Sequence, residues 1–274
     1  MLTDTDLDTL ADRLRDAERD RAPIEPLTAG CNLTADDAYA IALRNIRRRT
    51  SPVVGHKVGL SSKAMQDMMG VHEPDYGHLL ADMRLADGAE ADATRYCYPR
   101  VEIEVAFLLG RDLPGEGCTE ADVLDATEAF APAIELIDSR IREWRISLAD
   151  TIADNASSAG FVLGAARVPP AEIDVRRIEA SLWCDDQLVV QGRSDAVLGD
   201  PTTAAAWLAR KVAASGVRLR AGHVILPGAC ARAVDVWPGE RYRATFDGLG
   251  DVSLSFAAGE GSPEPPGSQS GAAL

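Results

Sequence analysis

Residues 99–109, PRVEIEVAFLL, constrain the fold more than any other stretch. Val101, Ile103 and Val105 alternate with Glu102, Glu104 and Ala106, a period of two that an extended strand places on opposite faces. The run closes on Phe107, Leu108 and Leu109, so the strand is suited to burial. Yet it holds two carboxylates on one face, roughly 6–7 Å apart along the backbone. Ionised acids this close in a partly buried setting repel, and one pKa rises unless a cation sits between them. A third acid, Glu135, stands inside AIELID (133–138), flanked by Ile134 and Leu136. Three hard oxygen donors suit magnesium or manganese, which keep open positions for water and substrate. The spacing alone does not choose. The pair could equally lie on a solvated edge strand, with Glu135 against an arginine such as Arg140.

Composition narrows the partners. The formal charge of −15 argues against binding a phosphate backbone. The basic run RNIRRR (44–49) falls at the end of a predicted helix, where the helix dipole favours cations. No stretch approaches the ~20 apolar residues of a membrane span. The N-terminus is acidic and periodic, unlike a signal peptide. Cys31, Cys97, Cys118, Cys184 and Cys230 show no CxxC spacing, and their odd number points to reduced thiols in the cytoplasm. His56, His72, His78 and His223 form no zinc spacing.

The pattern predicts one α+β domain with a helical N-terminal region (1–50), a β-rich part (51–256) and a disordered Gly/Pro/Ser-rich tail (257–274). Leu7, Leu10, Ala11, Leu14 and Ala17 share a helical face, and Thr34 caps a second helix carrying Tyr39, Ala42, Leu43 and Ile46 inward. Asp200 and Pro201 start another that stops at Gly216. HVIL, RAVDVW, RYRATF and DVSLSF, separated by tight turns, read as an antiparallel region.

In GHKVG, Gly55, Lys57 and Gly59 share one strand face, so Lys57 is flanked by residues without side chains. Glycine inside a strand often marks close approach of a ligand or of another backbone. Such a lysine can meet an anion or move a proton, or can simply be a surface lysine at a bulge. Asp75, after Pro74, reads as a turn former. Asp154, Asn155, Ser157 and Ser158 in DNASS could bind a carboxylate, but helix capping is the favoured reading.

Together, VVGHKVGLSSKAMQDMMGVHEPDYGHLLADM, PRVEIEVAFLLGRDLPG, PAIELIDSRIREWRISLADTIADNASSAGFVLG and GLGDVSLSF resemble the 2-keto-4-pentenoate hydratases of the fumarylacetoacetate hydrolase superfamily. The resemblance spans about residues 4–256 and is greatest to hydratases of steroid-ring breakdown acting on 2-hydroxyhexa-2,4-dienoate. It implies a mixed β roll or sandwich with outer helices, and a homo-oligomer, pentameric or decameric. Magnesium or manganese is implied on Glu102, Glu104 and Glu135, with Lys57 and Asp75 catalytic and Ser157 and Ser158 lining the substrate pocket beside Lys57. The implied reaction adds water to a 2-hydroxy-2,4-dienoate, giving a 4-hydroxy-2-oxoalkanoate, with the downstream aldolase a possible partner. Ala229, Ala231 and Asp200 depart from the family's usual residues. The alternative is a 4-oxalocrotonate decarboxylase, in which an apolar residue stands where this chain has Asp75. More distant are carbon–carbon bond hydrolysis and a catalytically silent assembly partner.

Overall fold

The computed structural model describes residues 2–258, so the tail expected to be disordered falls, from residue 259 on, outside the described residues. Helices α1 (Asp4–Asp20) and α2 (Ala35–Arg48) open the chain, each started by a capping box, from Thr3 to Asp6 and from Thr34 to Asp37. Then come β1 (Val53–Gly59), α3 (Lys63–Met69), β2 (Asp75–Leu80), β3 (Arg84–Leu85), β4 (Ala89–Ala91) and β5 (Arg100–Leu109). They are followed by α4 (Glu120–Ala126), β6 (Thr127–Ile137), α5 (Leu148–Ala153), β7 (Ser158–Leu163), β8 (Glu179–Cys184) and β9 (Gln187–Arg193). Last are α6 (Pro201–Ala213), β10 (Val224–Leu226), β11 (Val234–Asp235), β12 (Arg241–Phe246) and β13 (Gly250–Phe256).

Two sheets result. The larger runs β2-β1-β10-β5-β6-β7-β3, with β11 also on β5, and the smaller runs β4-β13-β12-β8-β9. The predicted antiparallel C-terminal region is therefore corrected. β12 and β13 form the expected hairpin, but β10 lies parallel to β1 in the larger sheet and β11 pairs with β5. Short strands with similar apolar patterns do not say which sheet they join, because that depends on partners far along the chain. The β8–β9 hairpin, missed in the sequence, turns on Asp185 and Asp186, both at positive φ.

Side-chain parity organises the larger sheet. Val58, Tyr76, Val101, Ile103, Val105, Phe107, Phe130, Ile134 and Val162 point to the main core shared with Leu182, Tyr242, Ala244 and Leu254 of the smaller sheet. The opposite face carries a second apolar set, Leu79, Ala106, Ala131, Ala133, Phe161 and Leu226. The two acids of β5 belong to that second face. The N-terminal helices pack Leu7, Leu10, Leu14 and Ile41 with Ile141 and Ile152 in a core of their own. RNIRRR is a structural run: Arg44 and Arg48 pair with Asp4, Asp8 and Asp12 of α1, and Arg49 with Glu18.

Candidate active site

The antiparallel register of β5 and β6 sets Glu102 directly opposite Glu135 and Glu104 opposite Ala133. Two-residue parity keeps Glu104 on the same face as Glu102. One ligand oxygen from each of Glu102, Glu104 and Glu135 lies within 4.8 Å of the others. Glu104 and Glu135 are wholly buried, whereas Glu102 is partly exposed, so the cluster has an open side there. Gly228 donates its backbone N–H to Glu104 Oε2 at 2.8 Å. Glu104 Oε1 and both Glu135 oxygens accept no hydrogen bond. Buried acceptors left this way are costly, and the convergence of one oxygen from each glutamate fits a hard dication. The donor set is all oxygen, which matches magnesium, manganese or calcium rather than zinc.

Lys57 completes the centre from β1. Its Nζ lies 3.1 Å from Glu135 Oε1 and donates to the Ala156 carbonyl at 3.2 Å. The expectation that Glu135 could pair with Arg140 is thereby corrected: Arg140 instead binds Asp154, Nε to Oδ1 at 2.5 Å. Burial alone would lower the Lys57 pKa, but Glu135, Glu102, Glu104 and Asp75 outweigh it and raise it, so the group is an ammonium. Burial pushes Glu102 up to about 7 and Glu104 well above the usual carboxylate range, with Glu135 also raised.

Asp75 is not the turn former expected. It is the first residue of β2, paired with Gly59 across the β1–β2 ladder, and only 1 % exposed. The strand brings it inward because Gly59 leaves room: a Cβ there would overlap the Asp75 carboxylate. Gly55 serves a different neighbour, the Val224 backbone of β10. The cleared space around Lys57 is thus filled by protein. Asp75 Oδ1 is buried without a partner. Burial raises its carboxyl to about 6, with Lys57 pulling it down and Glu135 pushing it up.

The capping expected of DNASS holds for Asp154, which is the C-cap of α5 and donates its N–H to the Asp150 carbonyl at 3.1 Å. Ser147 caps the N-terminus of that helix, and Asn155 and Ala156 lie beyond its end. Ser157 Oγ sits 3.3 Å from Thr151 Oγ1. Ser158 Oγ has no partner and borders a cleft of about 40 Å³ under α1 and α2, with Arg140 and Asp154. Among the described residues no hydrogen bond joins either serine to the carboxylates. Asn155, Ala156 and Ser157 all have φ between 50° and 58°. Left-handed backbone costs Ala and Ser roughly 1–2 kcal/mol each, while Asn tolerates it better. Three such residues in a row, with no glycine, were invisible in the sequence, as was the Gly228 N–H. Asp200, one of the departures, caps α6 by accepting from Thr202 N at 2.8 Å. Ala229 stands opposite Glu104 in an isolated bridge.

Comparison with known proteins follows the same lines. No protein-family model matches the chain. The 2-keto-4-pentenoate hydratase 2 of Dechloromonas aromatica (strain RCB) is 43% identical over 248 residues, covering 89% of this chain and 95% of its own. The 2-hydroxyhexa-2,4-dienoate hydratase of Comamonas testosteroni is 40% identical over 256 residues, covering 91% and 97%. The chain belongs to the 2-keto-4-pentenoate hydratase family. Among solved structures, 4-oxalocrotonate decarboxylase from Pseudomonas putida G7, complexed with magnesium and adipate, superposes with a TM-score of 0.90 at 33% identity, over 93% of this chain and 99% of that one. A solved fumarylacetoacetate hydrolase shares the arrangement at 16% identity, a likeness of fold alone. The superfamily fold expected from the sequence is the fold found. Hydratase-family membership thus coincides with a carboxylate cluster suited to a dication, and with Lys57 and Asp75 on the same sheet face.

Proposed function

We propose that this enzyme is a metal-dependent hydro-lyase that adds water to 2-hydroxypenta-2,4-dienoate or 2-hydroxyhexa-2,4-dienoate and releases the 4-hydroxy-2-oxoalkanoate. One observation carries the reading: an acid with an unpartnered oxygen, Asp75, buried on the face that holds the glutamate cluster and its lysine. Glu102, Glu104 and Glu135 would hold magnesium or manganese. When bound, such an ion stabilises negative charge on the oxygens of a 2-oxo acid.

The side chains account for the rest. Conversion of the enol to the dienolate places charge on the 2-oxygen, in a site of reduced dielectric where charge is expensive. The Lys57 ammonium, fixed between Glu135 and Ala156, offsets that charge and exchanges a proton with the enol. The enol oxygen loses its proton, the fifth carbon gains one, the fourth carbon gains hydroxide from water, and the third carbon gains the remaining proton, so one water is consumed overall. Asp75 takes the proton from that water, a role worth roughly 10²–10⁴ in rate. Ser157 and Ser158 would contact the substrate. The reading extends to a cytoplasmic homo-oligomer, pentameric or decameric, passing its product to a 4-hydroxy-2-oxoacid aldolase; sedimentation velocity and co-purification test that extension. Among the described residues, no helix is long and apolar enough to cross a membrane.

The likeness to the decarboxylase structure favours a second reading, decarboxylation of 2-oxohex-3-enedioate. That reaction needs no base for water, so Asp75 weighs against it. The decisive assay follows dienoate absorbance and carbon dioxide together, with and without magnesium or manganese. Loss of absorbance on the dienoates without gas supports hydration; gas from 2-oxohex-3-enedioate with inert dienoates replaces it by decarboxylation.

A further inference from the structure

We infer that Asn155 is a positioning residue, which clips a left-handed turn to the edge of the larger sheet and so fixes the ammonium of Lys57. The inference rests on the hydratase reading for its kinetic consequence, but its geometric content stands apart from it.

β2 is the outer strand of the larger sheet, and an outer strand presents unpaired N–H and C=O groups. The Asn155 side chain satisfies both from one residue. Its Oδ1 accepts from His78 N at 2.8 Å, and its Nδ2 donates to His78 O at 3.0 Å. The amide thus does what a neighbouring strand would do. His78 is three residues along β2 from Asp75, so the clip ties the turn to the strand that presents the proposed base.

The turn approaches closely because β2 has Gly77 there: a Cβ at that position would collide with the Asn155 carbonyl. Asn155, Ala156 and Ser157 then run left-handed, with φ of 56°, 50° and 58°. Such a run persists only where its surroundings over-determine it, and it occurs preferentially at functional sites. What it delivers is a carbonyl: Ala156 O receives the Lys57 ammonium at 3.2 Å, while the other named partner of that ammonium is Glu135. A lysine has four rotatable side-chain bonds, so one ion pair leaves its head group free to swing. The carbonyl removes that freedom. Backbone hydrogen bonds from Ser157 N to Asp154 O and from Asp138 N to Ser157 O shape the turn itself, and the Asn155 amide is what ties it to β2.

The test uses the full chain and the fact that it has three lysines, Lys57, Lys63 and Lys211. With [ζ-15N]lysine incorporated, a buried and hydrogen-bonded ammonium exchanges slowly enough to give a resonance, and its loss in Lys57→Met assigns it. Asn155→Gly keeps left-handed backbone accessible and deletes the clip, together with the 3.3 Å contact of the amide oxygen with His78 Nδ1. The expected result is a folded protein with unchanged magnesium affinity, a Lys57 ammonium signal broadened by faster exchange, and kcat lowered by about 10–100-fold with little change in KM. Asn155→Asp keeps the acceptor half of the clip and tolerates the same backbone, so its losses should be intermediate; it also decides the matter if the glycine variant fails to fold. An unaltered ammonium signal and kcat in the folded variant would overturn the inference. If the wild-type chain proves inert on dienoates, the hydratase reading falls, while the ammonium signal in the two variants still decides whether Asn155 positions Lys57.

Discussion

At the level of single residues, the site is a set of charges that the fold holds in a costly arrangement. Glu104 is fully buried, accepts one backbone N–H and leaves its other oxygen without a partner. Glu104→Gln keeps the shape and the acceptor for Gly228 but removes the charge. We expect magnesium binding, followed by calorimetry, to be lost together with turnover. The metal-free variant should melt at the same temperature as the metal-free wild type or higher, because a repelling acid has gone. A variant that still bound magnesium and turned over normally would remove the metal argument. Asp75 makes a different prediction. With its carboxyl raised to about 6 by burial, the base is ionised above that pH and protonated below it. kcat/KM should therefore fall by about tenfold per unit as pH drops below about 6. Asp75→Asn should lose roughly 10²–10⁴ in rate, lack that acid limb, and bind magnesium as before. Persistence of the acid limb in the variant would assign it to another group.

At the level of elements, β1 has two opposed characters. Lys57 faces the carboxylates, whereas His56 points to the opposite side, fully buried with neither ring nitrogen bonded. There it meets Tyr76 and His78 of β2 and His223 just before β10, with ring centroids 6.2, 4.8 and 6.4 Å away. Burial, then His78 and His223, hold His56 well below its ordinary pKa, and burial lowers His78 and His223 as well. A histidine depressed in the folded state contributes stability above about pH 6.5, where the unfolded chain is also neutral, and loses it as pH falls and only the unfolded chain takes up the proton. The histidine contribution to the melting temperature should thus decline from pH 7 toward pH 5, while the raised carboxyls of Glu102, Glu104, Glu135 and Asp75 act in the opposite sense. His56→Leu should make that decline shallower, as calorimetry across this range would show; an unchanged slope would exclude His56 as its source. The parity that separates Lys57 from His56 was legible in GHKVG. The histidine cluster was not, since its members come from three separate segments.

For the molecule as a whole, the larger sheet divides its labour between faces. One side builds the core against the smaller sheet, and the other lays an Ala-, Leu- and Phe-lined floor on which the charged groups stand. The acids are tolerated there because a bound ion would stabilise the native state and not the unfolded chain. Magnesium or manganese at about a hundredfold over Kd should add roughly 2.7 kcal/mol, and chelation should reverse it. A melting temperature indifferent to both ions and to chelator would count against the site. The N-terminal helices, by contrast, are joined through exposed Arg–Asp pairs worth little each. Their attachment depends on the apolar contacts of Leu7, Leu10, Leu14 and Ile41 with Ile141 and Ile152.

The resemblance to the hydratases, not the periodicity, marked the acids and the lysine proposed for catalysis, whereas the amino-acid order by itself determined the capped helices and the two-sided strands β1 and β5. These follow from periodicity, which is a local property: a residue's face depends on its neighbours two or four positions away. Only the tertiary structure decided that Asp75 is a buried strand residue, that Glu135 meets Lys57 and not Arg140, and that β10 and β12 belong to different sheets. It alone gave the carbonyl of Ala156, the N–H of Gly228 and the clip of Asn155 their roles. Those contacts join segments tens of residues apart through backbone groups that every residue carries, and a group common to all positions leaves no mark in the sequence.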